Sequence, residues 1–226
     1  MNSLVQGKLS VSMMCANLLN LEADVRTMEK NKVDYLHLDI MDGSFVPNLT
    51  FGPDMVNAIR NITSLPLDIH LLMEHPRVIV RSLTFKEGDI VTIHSECKES
   101  IMENVAFIKQ KGAKFGLALN PDTSIEEVKK YLPYTDIILL MLIVPGFAGS
   151  TMIHGMMEKV EETRKFLDQN KFQNIEIAVD GSVSCERAAY MRSKGARIFV
   201  GGTAGIFRKD VNVDEAIQQF YSAIRN

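Results

Sequence analysis

Tryptophan is absent, and aromatic residues make up only 7% of the 226 positions, which excludes extensive aromatic stacking surfaces. Cysteine is scarce: Cys15, Cys97 and Cys185 lie far apart and form no C-x-x-C pair. An odd, scattered count, with no apolar leader across Met1–Lys8, fits a reducing, cytoplasmic location. Long apolar runs are missing too. The longest, Ile137–Val144, has eight residues and is too short to cross a bilayer, so no membrane role is expected. There is no basic excess: 25 Lys and Arg stand against 28 Asp and Glu, a net charge of -3. Nothing therefore neutralises a phosphate backbone, and nucleic-acid binding is excluded as the main role. No stretch rich in proline, serine or like charge marks a linker, so residues 1–226 are read as one domain.

What the chain does have is alternation. Short aliphatic runs are followed by longer segments with helical spacing. The expected strands are Leu9–Met14, Tyr35–Ile40, Leu67–Leu72, Ile90–His94, Phe115–Leu119, Ile137–Leu142, Ile175–Val179 and Ile198–Gly201. The expected helices are Leu21–Asn31, Pro53–Asn61, Arg77–Phe85, Ser100–Lys111, Ile125–Tyr131, Met156–Gln169, Cys185–Lys194 and Val213–Arg225. Gly88, Gly112 and Gly195 each follow a helix as left-handed caps, and Ser124 with Glu127 spells a capping box for the fifth helix. Eight strand–helix units point to an α/β fold, a (β/α)8 TIM barrel. An open doubly wound sheet is the rival, but it favours a glycine-rich turn after the first strand, where this chain has Cys15-Ala16-Asn17.

In such barrels the chemistry sits at the C-terminal ends of the strands. Period-two alternation puts Leu36, Leu38 and Ile40 outward and Tyr35, His37, Asp39 and Met41 inward. The same reasoning turns Ser10, Ser12, Asp68, His70, Glu176 and Asp180 inward. Buried charge is costly unless paired or bound to a metal. His37, Asp39, His70 and Asp180 fall on one face at one end, a donor set suited to one divalent ion such as Zn, Fe, Mn or Co. Asp68 is read as structural, Asp42-Gly43 as a turn, and His94 is left outside the site. Three glycine-bearing loops follow the last three strands: Pro145–Ser150, Asp180–Ser182 and Gly201–Gly205. Their backbone N–H groups suit a phosphate, so a metal-assisted enzyme acting on a small phosphorylated molecule is expected.

The segment Leu36–Pro53, with Pro66–Leu71, Leu119-Asn120-Pro121, Pro145-Gly146-Phe147 and Val179-Asp180-Gly181, resembles the ribulose-phosphate 3-epimerases from first strand to eighth. The resemblance implies inversion at C3 of a ketose phosphate. On it, His37, Asp39, His70 and Asp180 hold the metal, and Asp39 and Asp180 are the acid and base. Ser12, His70, Met41 and Met141 meet the substrate. Gly146, Phe147, Ala148, Gly149, Gly181, Ser182, Gly202 and Thr203 hold the phosphate. A homo-oligomer is expected.

Several positions depart from the family pattern. Cys15, the Phe147-Ala148-Gly149 turn, Asp180-Gly181-Ser182 and Gly205-Ile206-Phe207 look like the allulose-6-phosphate 3-epimerase branch. Val144 and Ser150 replace larger or more polar residues and are expected to widen the pocket. The six-carbon ketose phosphate is accordingly the expected substrate, with ribulose 5-phosphate the alternative. Related decarboxylases and synthases expect lysine at Met41. A non-catalytic barrel that binds a sugar phosphate is the reading from another class.

Overall fold

The computed structural model describes residues 6–225, so part of the leader reading of Met1–Lys8 lies outside the described residues. Eight parallel strands close into a barrel in sequence order. They are β1 (Lys8–Ser12), β2 (Tyr35–Met41), β3 (Leu67–Leu72), β4 (Ile90–His94), β5 (Lys114–Leu119), β6 (Ile137–Met141), β7 (Glu176–Asp180) and β8 (Ala196–Gly201). The helices are α1 (Leu21–Lys30), α2 (Pro53–Ile62), α3 (Arg77–Ser82), α4 (Ile101–Gln110), α5 (Met156–Gln169), α6 (Cys185–Ser193) and α7 (Val213–Arg225). None of the described helices is long and apolar enough to cross a membrane.

The expected fifth helix, Ile125–Tyr131, is a correction. Between β5 and β6 the chain forms turns and then a 3-10 helix, Lys129–Tyr134. Ser124 N–H does donate to Glu127 Oε1 at 2.8 Å, as one half of a capping box. The following bonds, however, run from Lys129 to Glu126 and from Tyr131 to Val128, three residues back rather than four. Pro133 lies inside the segment and cannot donate an α-helical bond. Ile125, Val128 and Leu132 are still buried, so the apolar face survives the change of pitch.

Alternation along the strands sorts two apolar layers. Leu36, Leu38 and Ile40 of β2, with Leu9 and Val11 of β1, join the large cluster under the helices. Inside the barrel, Tyr35, Ile90, Ala118, Ile137, Leu139, Met141, Ala178 and Ile198 form a separate cluster. The polar interior comes from the first four strands: Ser10, Ser12, His37, Asp39, Asp68, His70, Thr92 and His94 are all buried. Gly116 of β5 makes room for that half, since a Cβ there would stand 2.1 Å from Thr92 Oγ1. At the floor, Lys8 Nζ binds Glu176 Oε1 at 2.8 Å, and Lys114 Nζ lies 3.8 Å from Glu176 Oε2.

Candidate active site

The register pairs His37 with Asp68 and Asp39 with His70, which sets β2 and β3 side chains on common levels. Thr50 pins the end of β2: its hydroxyl donates to Asp39 O at 2.5 Å and accepts from Met41 N–H at 3.0 Å. Asp39 Oδ1 then sits 3.1 Å from both His37 Nε2 and His70 Nδ1. Asp180 Oδ2 approaches from β7, 3.7 Å from His37 Nε2 and 3.9 Å from His70 Nδ1. One donor atom from each of the four residues lies within 4.8 Å of the others. Donors around a tetrahedral ion with bonds of about 2.0–2.1 Å stand roughly 3.3 Å apart, so this nitrogen and oxygen set fits a divalent metal with little movement.

Both histidines are aimed from behind. His37 Nδ1 meets Asp68 Oδ2 at 2.8 Å, and Ser10 Oγ donates to the same oxygen at 2.7 Å. Asp68 is thus more than structural: it leaves His37 Nε2 facing the site. His70 Nε2 lies 3.0 Å from His94 Nε2, and His94 Nδ1 lies 3.2 Å from Glu96 Oε2. Glu96 Oε1 in turn accepts from Asn120 N–H at 2.9 Å and from the Thr123 hydroxyl. Sequence reasoning leaves His94 outside the site and passes over Glu96. Their only signal is the two-residue spacing at the end of β4.

Charges in this cluster oppose one another. Burial alone would discharge His37, but Asp39 and Asp68, one against each ring nitrogen, hold its pKa well above the ordinary value. Burial also works to raise Asp39, yet the charge and hydrogen bond of His37 outweigh it and hold that carboxyl well below the usual range. Burial lowers His70 to about 4 in spite of Asp39, so its ring is neutral. Asp180 is pushed up to about 7, first by burial and then by the Asp39 and Asp68 charges, against the pull of His37.

A cavity opens beside the cluster. Ser12, Asp39, Met41, Met141 and Asp180 line its inner end, and Gly146, Phe147, Ala148, Gly149, Gly181, Ser182, Gly202 and Thr203 line its rim. The residues expected to meet substrate and phosphate are therefore gathered at one opening, with His70 buried one contact away behind Asp39. Ser12 Oγ donates to Asp39 Oδ2 at 3.4 Å. Gly181 is required where it stands: its φ is +110° and a Cβ would lie 2.6 Å from Ile143. The expectation for Val144 and Ser150 is corrected. Neither lines this cavity. Val144 is 69% exposed, and Ser150 Oγ is turned back onto Phe147 O at 3.0 Å.

Two carboxylates and two imidazoles at the C-terminal mouth of a closed barrel, opening on a glycine-rimmed cavity, make this a barrel enzyme equipped for proton transfer. The profile of the Ribulose-phosphate 3 epimerase family matches residues 8–207. Ribulose-phosphate 3-epimerase of Bacillus subtilis is 35% identical over 197 residues, 87% of this chain and 91% of that protein. The chloroplastic ribulose-5-phosphate-3-epimerase of Arabidopsis thaliana is 37% identical over 203 residues, 89% of this chain and 72% of that protein. The chain belongs to the ribulose-phosphate 3-epimerase family and is an isomerase. Among solved structures, KGPDC from Streptococcus mutans superposes with a TM-score of 0.67 at 14% identity, covering 97% of each chain. Orotidine 5'-phosphate decarboxylase from Pyrococcus horikoshii superposes at 0.66 and 13%, covering 96% of this chain and 99% of that one. At such identities the likeness concerns the barrel alone.

Proposed function

We propose that the chain interconverts D-ribulose 5-phosphate and D-xylulose 5-phosphate by inverting C3. The observation that carries this reading is the pair Asp39 and Asp180, set on β2 and β7 and both facing one cavity. In the closed ring β2 and β7 are three strands apart, through β1 and β8, so the carboxylates approach a seated carbon from different sides. The C3 proton is acidic because it lies beside the C2 carbonyl. One aspartate takes it, and the electron pair moves into a C2–C3 double bond as the carbonyl oxygen gains charge. The other aspartate delivers a proton to the opposite face of C3, and the carbonyl re-forms. His37, Asp39, His70 and Asp180 would hold a divalent ion, which would supply stabilisation of the negative charge that develops as the C3 proton leaves. Met41 and Met141 wall the reacting carbon with apolar surface, and Ser12 steadies Asp39. The glycine rim takes the phosphate through backbone N–H groups.

The five-carbon substrate is the better supported of the two. The relatives named above carry the five-carbon name, and the two replacements that argued for a wider pocket point away from it. The deciding experiment is C3 epimerisation of ribulose 5-phosphate and allulose 6-phosphate side by side. We expect kcat/KM to favour ribulose 5-phosphate by about tenfold or more. A preference for allulose 6-phosphate reverses the substrate and keeps the chemistry. Turnover of neither returns the chain to a sugar-phosphate-binding barrel.

A further inference from the structure

The cavity has an electrostatic deficit. No lysine or arginine is among its lining residues, while Asp39 and Asp180 stand at its inner end. A phosphate dianion at the rim therefore meets no lysine or arginine on the cavity wall. One guanidinium does reach the rim, from behind. Arg187 on α6 uses Nη1 to donate to both Ser182 O and Ser182 Oγ, each at 2.7 Å. No carboxylate of the described residues pairs with it. Its own backbone N–H donates to Ser184 Oγ at 3.3 Å, so one residue ties the β7–α6 turn twice.

Ser182 has reason to be held. Its φ is +54°, left-handed backbone that serine adopts reluctantly. The carbonyl bond to Arg187 fixes that turn. The hydroxyl bond does something further. Because Ser182 Oγ accepts from a charged donor, its own proton remains to be given to the cavity, and as a more polarised donor.

Resting on the ketose-phosphate reading above, we propose that Arg187 is the positioning residue of the phosphate end: it locks the Ser182 turn and, through the Ser182 hydroxyl, supplies the positive charge that the cavity wall lacks. A guanidinium placed this way binds the anion end of the substrate and leaves the proton transfer at C3 alone.

The test titrates inorganic phosphate calorimetrically into the wild type, Arg187→Met and Arg187→Lys, and follows ribulose 5-phosphate kinetics in parallel. In Arg187→Met we expect phosphate affinity to fall roughly tenfold or more, KM to rise by a similar factor, and kcat to change little. Arg187→Lys should recover part of the affinity, because charge is kept while the planar fork is lost. A purely structural arginine would lower the melting temperature and leave phosphate affinity in the folded fraction unchanged; that result overturns the proposal. So does a loss confined to kcat. If Arg187→Met does not fold, Ser182→Ala decides, since it removes only the hydroxyl that carries the charge forward; phosphate binding equal to wild type then overturns the proposal. A wild type that binds phosphate but turns over neither ketose phosphate refutes the epimerase reading and leaves this one standing.

Discussion

Replacing Glu96 with glutamine should weaken metal binding without touching any of the four candidate ligands. Burial opposes the ionised form of Glu96, but His94, Thr123 and Asn120 outweigh it and bring its pKa down to about 2. As a carboxylate it only accepts, so His94 must carry its proton on Nδ1, 3.2 Å away. His94 Nε2 is then a bare acceptor, and His70 must carry its proton on Nε2, 3.0 Å away. That leaves His70 Nδ1 unprotonated and facing Asp39 and Asp180, as a ligand nitrogen has to be. In Glu96→Gln the side-chain oxygen is claimed by Asn120 N–H and the Thr123 hydroxyl, so the amide NH2 faces His94. Every proton in the chain then reverses, and His70 Nδ1 carries hydrogen into the metal site. Altering the partner behind a ligating histidine typically costs about 10–100-fold in metal affinity, roughly 1.4–2.7 kcal/mol. Titrating Mn or Zn into the metal-free variant at pH 7.5 measures this directly, with melting to establish that the fold persists. Excess metal should restore most activity. Wild-type metal affinity in Glu96→Gln would refute the proton chain, and lost activity with intact affinity would assign Glu96 some other task.

Three more outcomes follow from the same structure. Asp180→Asn should lower epimerisation by roughly 10²–10⁴-fold, or more where the ligand is lost as well, while the circular dichroism stays that of the wild type; near-normal turnover would remove Asp180 from proton transfer. In the metal-free protein Asp180 is raised to about 7, above its unfolded value, so its contribution to stability is full below about pH 4 and lost as pH rises through 7. Metal competes with that proton, and the rise in melting temperature on adding metal should therefore be larger at pH 8 than at pH 6; an equal or smaller rise contradicts the assignment. Gly116→Ala places a methyl 2.1 Å from Thr92 Oγ1, and should destabilise the fold by about 1–3 kcal/mol in urea melts, whereas a neutral result would mean that β4 and β5 can spread.

How much of the molecule is legible in the sequence depends on backbone periodicity. In β2 every side chain is buried, and alternation alone separates Leu36, Leu38 and Ile40 from His37, Asp39 and Met41. The same rule aligns His70 and Asp180, so the candidate metal cluster is readable from residue spacing alone. The rule ends where the strands end. Ser150 lies in a loop, where no period fixes direction, and its hydroxyl turns inward on its own turn. Glu96 sits two residues beyond β4, and its role depends on a loop from β5 that local sequence does not bring near. The segment before β6 has the spacing of a helix in Ile125, Val128 and Leu132, but spacing does not distinguish three-residue from four-residue bonding when Pro133 interrupts.

The Lys8–Glu176 ion pair has a consequence for solvent. Above it Tyr35, Ile90, Ile137 and Ile198 are packed across the barrel and nearly inaccessible to water. The barrel is thus a blind well, with one way in and out. Asp39 is only 4% exposed, and on the reading proposed above a ketose phosphate seated in the mouth would stand between it and bulk water. The substrate is its own stopper. A proton lifted from C3 by Asp39 should then stay in the well for as long as the sugar does, and washout of a C3 deuterium label into the medium should follow departure of the product.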